Sequence, residues 1–376
     1  MASFDVLVLG GGIVGCACAY ELVQSGLRVG IIERGVVGGG TTAAGMGHVV
    51  VMDDSAAQLA LTGYSRSLWQ ELQPRLPATV EYEARGPIWV AADDEEMREV
   101  QAKHRLYASA RVASEVLDGK ALAKAEPKLR AGLAGGLLVP DDAVLYPPAA
   151  AAFFLEEARR GGAVLLQGQA VVRLEGGEAT LKDGTVHRAE RVVVATGADI
   201  ELLPWLPIQR RKGHLLITDR YPGFIHHQLV ELGYLKSAHK LAEDSVAFNV
   251  QPRSTGQLLI GSSRQYGDEC SEVNPKIFAA MLQRACEYMP AIASLSGIRA
   301  WTGFRAATPD KLPLIGPTGD PAIFLAAGFE GLGITNAPGA ARLLADHLLG
   351  RVPAIDGAPF LPDRIAQAAF WETVHA

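Results

Sequence analysis

The distribution of hydrophobic and polar residues at the start of the chain is typical of a strand–helix–strand unit. An apolar run from Phe4 to Leu9 predicts a buried parallel strand. The helical pattern from Cys16 to Gln24, closed by Gly26, predicts a helix. A second strand is predicted from Arg28 to Ile32. The chain therefore begins with a strand, a tight turn, a helix and a second strand.

The turn between the first strand and the helix is rich in glycine. Gly10, Gly12 and Gly15 have the spacing G-x-G-x-x-G, and the second strand ends on Glu33. In such a unit one glycine makes the sharp turn, one lets the backbone approach a pyrophosphate, and one brings helix and strand together. The amides and dipole of the helix stabilise the phosphate charge, and the acid accepts hydrogen bonds from a ribose. A ligand with an ADP moiety is predicted here.

From Ala149 to Val192 a helical pattern is followed by strand patterns, which predicts that this middle portion belongs to the same nucleotide-binding domain as the first unit. Strands are predicted from Gly86 to Ala91 and near Val164, Val171 and Val192. Helices are predicted over Asp53 to Leu72, Asp93 to Tyr107 and Ala149 to Arg160.

Residues 206–302 have a different pattern. Short strand candidates, HLLIT (His214 to Thr218), VAFNV and QLLIG, alternate with polar turns such as RSTG. This alternation predicts an antiparallel sheet, and one helix is predicted from Pro275 to Tyr288.

Charge and cysteine content exclude some classes of function. The 376 residues carry a net charge of -6 with both signs interspersed, so a nucleic-acid partner is not expected. Cys16 and Cys18 are interpreted as small buried thiols, and no C-x-x-C occurs, so an iron–sulfur cluster would have to belong to another chain. No metal site is predicted. Without a basic leader or a long apolar segment, the protein is expected to be cytoplasmic, with association at the inner face of the membrane left open.

The glycine-rich stretch from Gly35 to Gly47 has no helical or strand period, and two interpretations are open. It is either a mobile surface loop or a second backbone cradle formed by the amides of Thr41, Thr42, Ala43 and Ala44. The choice between these two interpretations decides whether NAD or FAD is the predicted cofactor. NAD needs little beyond the first unit, whereas FAD is extended and needs a second contact region toward its isoalloxazine ring.

Four stretches together resemble the D-amino-acid oxidase family of flavoproteins. GGGIVGCACAYELVQSGLRVGIIERGVVGGGTTAAGMG resembles the extended FAD signature of the family, and VVVATGA (Val192 to Ala198) resembles its second dinucleotide motif. TGFRAATPDKLPLIGP and AAGFEGLGITNAPGAARLLADHLLG are similar to its C-terminal signatures.

The resemblance implies an α/β (α+β) fold class. A Rossmann-like FAD-binding domain of the glutathione-reductase-2 type is expected with a discontinuous, antiparallel-sheet substrate domain. The expected FAD-binding domain comprises residues 1–77, 146–205 and 303–376, and the expected substrate domain comprises residues 78–145 and 206–302.

The same resemblance implies FAD bound non-covalently along the first unit, the glycine-rich stretch and two later turns. The residues expected to bind it are Gly10, Gly12, Ile13, Val14, Gly15, Glu33, Arg34, Thr41, Thr42, Ala43, Ala44, Gly45, Met46, Val171, Ala195, Thr196, Gly197, Gly328, Gly331, Leu332, Gly333, Ile334 and Thr335.

Arg305 is the candidate catalytic residue. It is expected to follow a strand and it precedes Pro309, so by itself it is also consistent with a structural arginine that pairs with Asp310 or a carbonyl group. The G-F-R motif matches the carboxylate-binding arginine of the family. A planar guanidinium binds a carboxylate through two hydrogen bonds and so fixes the alpha carbon in one orientation.

The loop from Gly328 to Gly333 precedes a predicted helix from Ala337 to Leu349. Without context such a loop only starts a helix. In the family it borders the flavin pyrimidine ring, where the amides of Gly331, Leu332 and Gly333 would stabilise negative charge on reduction. Most relatives have G-H where this chain has Gly328 and Phe329.

Further substrate-binding candidates beside Arg305 are His48, Asn249 and Glu330. Some relatives attach FAD through an N-terminal histidine, but the motif around His48 differs, which favours a structural histidine and non-covalent FAD. Asn249 stands where glycine oxidases have a substrate-binding tyrosine. His226 and His227 lack metal spacing and are expected to be exposed.

The resemblance implies oxidation of an amine by hydride transfer to flavin N5. AAGMGHVVVMDDSAAQLALTGYSRSLW and GFEGLGITNAPG look most similar to bacterial D-hydroxyproline dehydrogenases, akin to the flavin subunits of opine oxidase and hydrogen cyanide synthase. The expected substrate is then a cyclic D-imino acid, cis-4-hydroxy-D-proline or D-proline, with electrons passed to iron–sulfur partner subunits or a respiratory acceptor. Two alternatives stay open: a glycine, sarcosine or D-amino-acid oxidase that uses oxygen, and a flavin-bearing assembly subunit whose catalytic centre lies in a partner.

Overall fold

The apolar run at the start of the chain forms the centre of a parallel sheet. In this computed structural model, which describes residues 4–233 and 244–366, strand Phe4–Leu9 lies between Val29–Glu33 and Val186–Val194 and pairs with both in parallel. Val6, Leu7 and Val8 have at most 1% of their surface exposed. Continuous burial of this kind is typical of a parallel strand that is covered on both faces.

The helices and strands of the described residues are numbered in chain order. The helices are α1 Ile13–Gln24, α2 Thr41–Ala44, α3 Ala56–Leu72, α4 Asp94–Ser109, α5 Gly119–Ala125, α6 Pro147–Arg160, α7 Pro275–Tyr288, α8 Gly333–Leu349 and α9 Asp363–Ala366. The strands are β1 Phe4–Leu9, β2 Val29–Glu33, β3 His48–Val49, β4 Pro87–Ala91, β5 Glu115–Asp118, β6 Gly135–Leu138, β7 Ala143–Val144, β8 Val164–Gln167, β9 Val171–Glu175, β10 Glu178–Leu181, β11 Val186–Val194, β12 Gln209–Thr218, β13 Gln228–Glu231, β14 Ser245–Pro252, β15 Leu258–Arg264, β16 Gly297–Ala307, β17 Leu314–Pro317 and β18 Ile323–Ala327.

The chain divides into two compact units, each built from separate segments. Among the described residues the first unit contains 4–80, 146–210 and 305–366, and the second contains 81–145 and 211–304 apart from 234–243. The chain passes between the two units four times. The last passage lies inside β16, between Phe304 and Arg305.

The first unit is organised around its parallel sheet, whose strand order is β17-β18-β11-β1-β2-β8. Strands β9 and β10 extend β11 as an antiparallel hairpin, and β17 pairs with β18 in antiparallel fashion. Helix α1 packs against α6 and α8, and α3 packs against α8. Trp69 on α3 and Phe154 on α6 make an edge contact with ring centroids 5.4 Å apart.

The second unit is built on a sheet of order β16-β12-β15-β14-β13-β4-β6-β5. The predicted antiparallel pairing is found for most neighbours, but β13 and β4 are parallel. Helix α7 packs on β14 and β15 over a core that includes Phe248, Ile260 and Tyr288. The rings of Phe248 and Tyr288 stack with centroids 4.8 Å apart. The mixed α/β fold expected from the sequence is confirmed.

Several predicted element ends are wrong, and two of the errors lie at helix starts that are rich in glycine. Helix α1 starts at Ile13 rather than Cys16, and α8 starts at Gly333 rather than Ala337. The stretch from 35 to 47 contains the short helix α2. Glycine-rich first turns lack the apolar spacing by which a helix is recognised, so the pattern begins one turn late.

Arg305 was expected to follow a strand, but it lies inside β16. The prediction of exposure is wrong for His227, which is half-buried, while His226 is exposed. His227 Nδ1 lies 2.9 Å from Oε1 of the fully buried Glu126, and the same oxygen accepts hydrogen bonds from both histidine amides. A buried carboxylate needs hydrogen-bond donors of this kind. Because Glu126 and His227 are 101 positions apart, the sequence around His227 did not predict this contact.

Candidate functional site

The glycine turn after β1 is packed too closely for side chains. Gly10 has φ +106, and a Cβ at this position would lie 2.5 Å from the carbonyl oxygen of Ala195. A Cβ on Gly15 would overlap the carbonyl oxygen of Gly10. The turn, the first turn of α1 and the end of β11 therefore meet with only main-chain atoms between them.

The first turn of α1 offers main-chain N–H groups as hydrogen-bond donors. Its N-cap is Gly12, which provides no side-chain cap, and the first turn contains no acid. The Ile13 amide donates to the hydroxyl of Thr42 over 3.0 Å. An uncapped helix start of this kind favours phosphate. The sequence predicts only that the amide of Thr42 contacts the cofactor, and this contact of its hydroxyl with the first turn of α1 was not predicted.

The glycine-rich stretch folds back onto this turn. The Gly38 amide donates to the Gly11 carbonyl over 2.8 Å, and a Cβ on Gly45 would lie 2.9 Å from Cδ1 of Ile334. Residues 35–47 thus connect the glycine turn to the start of α8. This arrangement favours the cradle over the mobile loop.

Glu33 is fixed at the end of β2 by main-chain donors. Its Oε2 accepts from the Gly11 amide and its Oε1 from the Gly35 amide, each over 2.6 Å. Each carboxylate oxygen keeps a further lone pair that can accept a ribose hydroxyl. The Gln169 amide donates to the Glu33 carbonyl, so the chain that leads into Val171 runs beside this end of β2.

Arg34 forms an ion pair with Asp199, a residue that the sequence analysis missed. Asp199 lies in the turn after β11, and the hydroxyl of Thr196 donates to its carbonyl. A Cβ on Gly197 in the same turn would lie 3.6 Å from the hydroxyl of Thr41. The carboxyl ends of parallel strands meet at one edge of a sheet, and this rule could have identified Asp199.

The start of α8 is joined to the segment around β3. The Thr335 hydroxyl donates to the His48 carbonyl over 2.9 Å and accepts from the Val50 amide over 3.2 Å. His48 takes part in this contact through its main-chain carbonyl. The N-cap of α8 is Leu332, which provides no side-chain cap, and its first turn has no acid. This helix start again offers main-chain donors.

Arg305 lies beside the glycine loop that precedes α8. The Glu330 amide donates to the Ala306 carbonyl over 2.9 Å, which brings the loop against β16. As a result, a Cβ on Gly331 would lie 3.6 Å from Nε of Arg305. The carboxylate of Asp310, the partner suggested for a structural arginine, is bound by Arg364.

The other expected binding residues are distributed over the same segments. Val14 lies in α1, Ala43 and Ala44 in α2, and the buried Met46 follows them. Gly328, with φ +75, lies directly after β18 and before the buried Phe329. The structure thus brings the cofactor candidates of the first unit to one edge of its parallel sheet.

Asn249 belongs to β14 of the second unit, opposite Val230 and Gly261. It is 8% exposed, and within residues 4–233 and 244–366 its buried Oδ1 accepts no hydrogen bond. A buried side-chain acceptor without a donor is uncommon in folded proteins.

Cys16 lies close to the glycine turn, and its thiol is buried. Sγ lies 3.5 Å from the carbonyl oxygen of Gly11. Burial, with a further contribution from the charge of Glu33, raises the pKa of the Cys16 thiol to about 12. A thiol with this pKa stays protonated at neutral pH and does not react.

Two negative findings apply to the described residues. In the ranges 4–233 and 244–366, no cluster of three or more His, Cys, Asp and Glu side chains could hold a metal ion. Within the same ranges, every helix is too short or too polar to cross a membrane.

The fold and these contacts define a class of protein, the dinucleotide-binding flavoproteins. The glycine turn without room for a Cβ, the uncapped start of α1 and the fixed carboxylate of Glu33 fit an ADP moiety. The second contact region at residues 38–50 and at α8 fits a cofactor longer than NAD. Residues 5–347 match the DAO family, described as FAD dependent oxidoreductase, so the chain belongs to this family and FAD is its cofactor.

Known relatives and structures cover nearly the whole chain. Glycine oxidase of Pseudomonas aeruginosa is 29% identical over 376 residues, 95% of this chain and 98% of that protein. Hydrogen cyanide synthase subunit HcnC of the same organism is 26% identical and covers 96% of each chain. The crystal structure of glycine oxidase from Geobacillus kaustophilus has a TM-score of 0.86 at 26% identity and covers 96% of this chain and 98% of its own. The predicted family is confirmed.

Proposed function

We propose that the protein oxidises the carbon–nitrogen bond of a small amino acid, such as glycine, sarcosine or a D-amino acid, with oxygen as the electron acceptor. The observation that carries this proposal is the position of Arg305 beside Gly331, where a guanidinium meets an uncapped helix start in one unit. The likeness to glycine oxidases over nearly the whole chain supports the same substrate class.

In this proposal the first unit holds FAD without a covalent bond. The uncapped first turn of α1 and the hydroxyl of Thr42 bind the pyrophosphate, and Glu33 binds the ribose. The loop at Gly331 and the first turn of α8 border the flavin ring. FAD, when bound, accepts two electrons and a proton from the amine carbon. Acid precipitation of the yellow protein should release the colour into solution.

Arg305 has the role of a carboxylate anchor. A guanidinium donates two parallel hydrogen bonds to a carboxylate, which fixes the position and rotation of the substrate. The amine is bound in its neutral form, so no further strong base is required of the protein. Catalysis by this chain is then mainly orientation, with the main-chain amides of the loop and of α8 stabilising negative charge.

The test compares Arg305→Ala and Arg305→Lys with the unchanged protein. We expect kcat/KM to fall by about a hundredfold or more in Arg305→Ala, because a charged bidentate contact is lost. FAD content should stay constant. Arg305→Lys should recover only part of the activity, since an ammonium cannot bind both oxygens in a plane. Arg173→Ala, an exposed arginine of the β9–β10 hairpin, is the control. Normal turnover in Arg305→Ala would refute the assignment.

A second candidate is a dehydrogenase for a cyclic D-imino acid, cis-4-hydroxy-D-proline or D-proline, that passes electrons to partner subunits. One observation favours it: the likeness to a subunit of hydrogen cyanide synthase. In this alternative the isolated chain is reduced by substrate but is reoxidised slowly by air. Iron–sulfur clusters would belong to the partners.

Anaerobic stopped-flow absorbance separates these candidates. Flavin bleaching by glycine or sarcosine, followed by rapid recovery and peroxide in air, supports the oxidase. Bleaching by cyclic D-imino acids with slow recovery supports the dehydrogenase. If none of the substrates bleaches the flavin of the isolated chain, both proposed substrate classes are wrong, whereas bleaching by any of them excludes the role of an assembly subunit.

A further inference from the structure

The first turn of α8 contains a carbonyl group that the helix itself cannot satisfy. In an α-helix the carbonyl of residue i accepts from the amide of residue i+4. The residue four positions after Ile334 is Pro338, which lies inside α8 and has no N–H group. The Ile334 carbonyl therefore has no intrahelical donor, and Ile334 is itself only 9% exposed.

Trp69 supplies the missing donor from a different helix. Its indole Nε1 donates to the Ile334 carbonyl over 3.1 Å and to the Thr335 carbonyl over 3.0 Å. Trp69 has no exposed surface, and its ring makes an edge contact with Phe154. The donor is therefore held rigidly by α3 and α6, which pack in the core of the same unit.

The same turn of α8 is held by a second set of contacts. Thr335 binds the His48 carbonyl and the Val50 amide through its hydroxyl. The first turn thus has two external supports, one at Trp69 and one at residues 48–50. Because Pro338 weakens the hydrogen bonding of the helix itself, the position of this turn depends on these supports.

We propose that Trp69 is a positioning residue for the cofactor, which acts by holding the first turn of α8 in place through the carbonyl groups that it binds. The inference rests on the proposed function, in which that turn borders the flavin ring. A helix start is electropositive and favours the reduced, negatively charged ring. Displacement of the turn lowers both the affinity for FAD and the reduction potential of the bound flavin.

Trp69→Phe removes the N–H group and keeps an aromatic ring. The buried Ile334 carbonyl then has no donor, and the turn shifts or frays to reach water. We expect the Kd for FAD to rise about tenfold, which equals ~1.4 kcal/mol, and the midpoint potential to become more negative. Trp205→Phe, at an indole that is 57% exposed, is the matched control and should change neither quantity.

Pro338→Ala provides a rescue that distinguishes this role from general stabilisation. Alanine restores an N–H group four residues after Ile334, so the helix can satisfy its own carbonyl. The double variant Trp69→Phe with Pro338→Ala should therefore regain most of the FAD affinity and potential lost in Trp69→Phe. If Trp69→Phe does not fold, 3-benzothienylalanine at position 69 keeps the shape of the ring system without its N–H.

Failure of this inference and failure of the proposed function give different experimental results. Unchanged FAD affinity and potential in Trp69→Phe would overturn the inference, as would a double variant no better than Trp69→Phe. A lower melting temperature of the apoprotein without a change in potential would also overturn it, since Trp69 would then only stabilise the fold. Absence of FAD from the unchanged protein, or of any reduction by amino acids, would instead count against the proposed function.

Discussion

Gly15 is the residue at which the nucleotide turn tolerates least change. A Cβ at this position would lie 2.0 Å from the carbonyl oxygen of Gly10, which belongs to the main chain and cannot rotate away. The contact couples the turn to the first helix, so relief of an overlap at Gly15 requires the helix to move away from the sheet.

Gly15→Ala should therefore abolish FAD binding, with the purified protein colourless and its flavin fluorescence at background. Gly26→Ala is a useful control, because space around Gly26 is open, although its φ of +87 carries a strain of its own. This control should keep its FAD. A yellow Gly15→Ala protein with the normal FAD content would show that the turn adapts.

The four cysteines should differ in reactivity according to burial. Cys16 and Cys18 are buried, and burial raises the pKa of both thiols, whereas Cys270 is exposed. Titration with a disulfide reagent at pH 8 should modify Cys270 quickly and leave Cys16 and Cys18 unreacted until the protein is denatured. Cys270→Ser should remove the fast phase. Fast modification of Cys16 would mean that the first helix opens in the native state.

At the scale of single residues, the sequence identifies contacts that are local or that belong to a motif. Gly10, Gly15 and Glu33 lie within one βαβ unit, so their spacing predicts their roles. Trp69 and Asp199 act on residues that are 265 and 165 positions away. Such pairings depend on how helices and strands assemble, and no periodicity in the chain encodes them.

Among the elements, α7 is the helix whose ends were predicted correctly, and its N-cap explains why. The side chain of Asn274 accepts from the amides of Lys276 and Ile277, and Pro275 follows as the first helical residue. Asparagine before proline is a strong start signal. The start of α8 was missed because glycines lack the apolar spacing that marks a helix. The position of Arg305 was missed because the long edge strand β16 extends past it.

Asn274→Ala should lower the free energy of unfolding by about 1 kcal/mol, because two amides at the start of α7 lose their acceptor. Urea denaturation followed by circular dichroism measures this change. Asn274→Ser keeps a side-chain oxygen and should lie within a few tenths of a kcal/mol of the unchanged protein. Equal stabilities of the alanine and serine variants would show that the cap is not needed.

For the molecule as a whole, acid stability should depend on a pair in the second unit. Lys212 is 1% exposed and donates to Asp268 over 2.9 Å. This hydrogen bond and one from the Cys270 amide hold the pKa of Asp268 below its ordinary value of 3.8. Since the folded state lowers this pKa, the stabilisation is complete above 3.8 and is lost as the pH falls through the lower, folded value.

Asp268→Asn should be less stable than the unchanged protein at neutral pH, because the buried Lys212 ammonium loses its ionic partner. The difference should shrink as the pH falls below 3.8. Melting temperatures measured across this range test both statements. Glu178→Gln, which breaks an exposed pair with Arg188, is the control and should have little effect. Parallel curves for Asp268→Asn and the unchanged protein would disprove the linkage.

The division of the first unit into three segments affects how the protein is made. Strand β1 is translated before the second unit, but β18, which borders β11, and α8, which packs on α1, follow Arg305. While the ribosome is still translating the second unit, the side of α1 that α8 later covers stays uncovered on the nascent chain. The first unit closes only after the segment that follows Arg305 has emerged, so translational stalling before that point leaves an apolar surface for chaperones to protect.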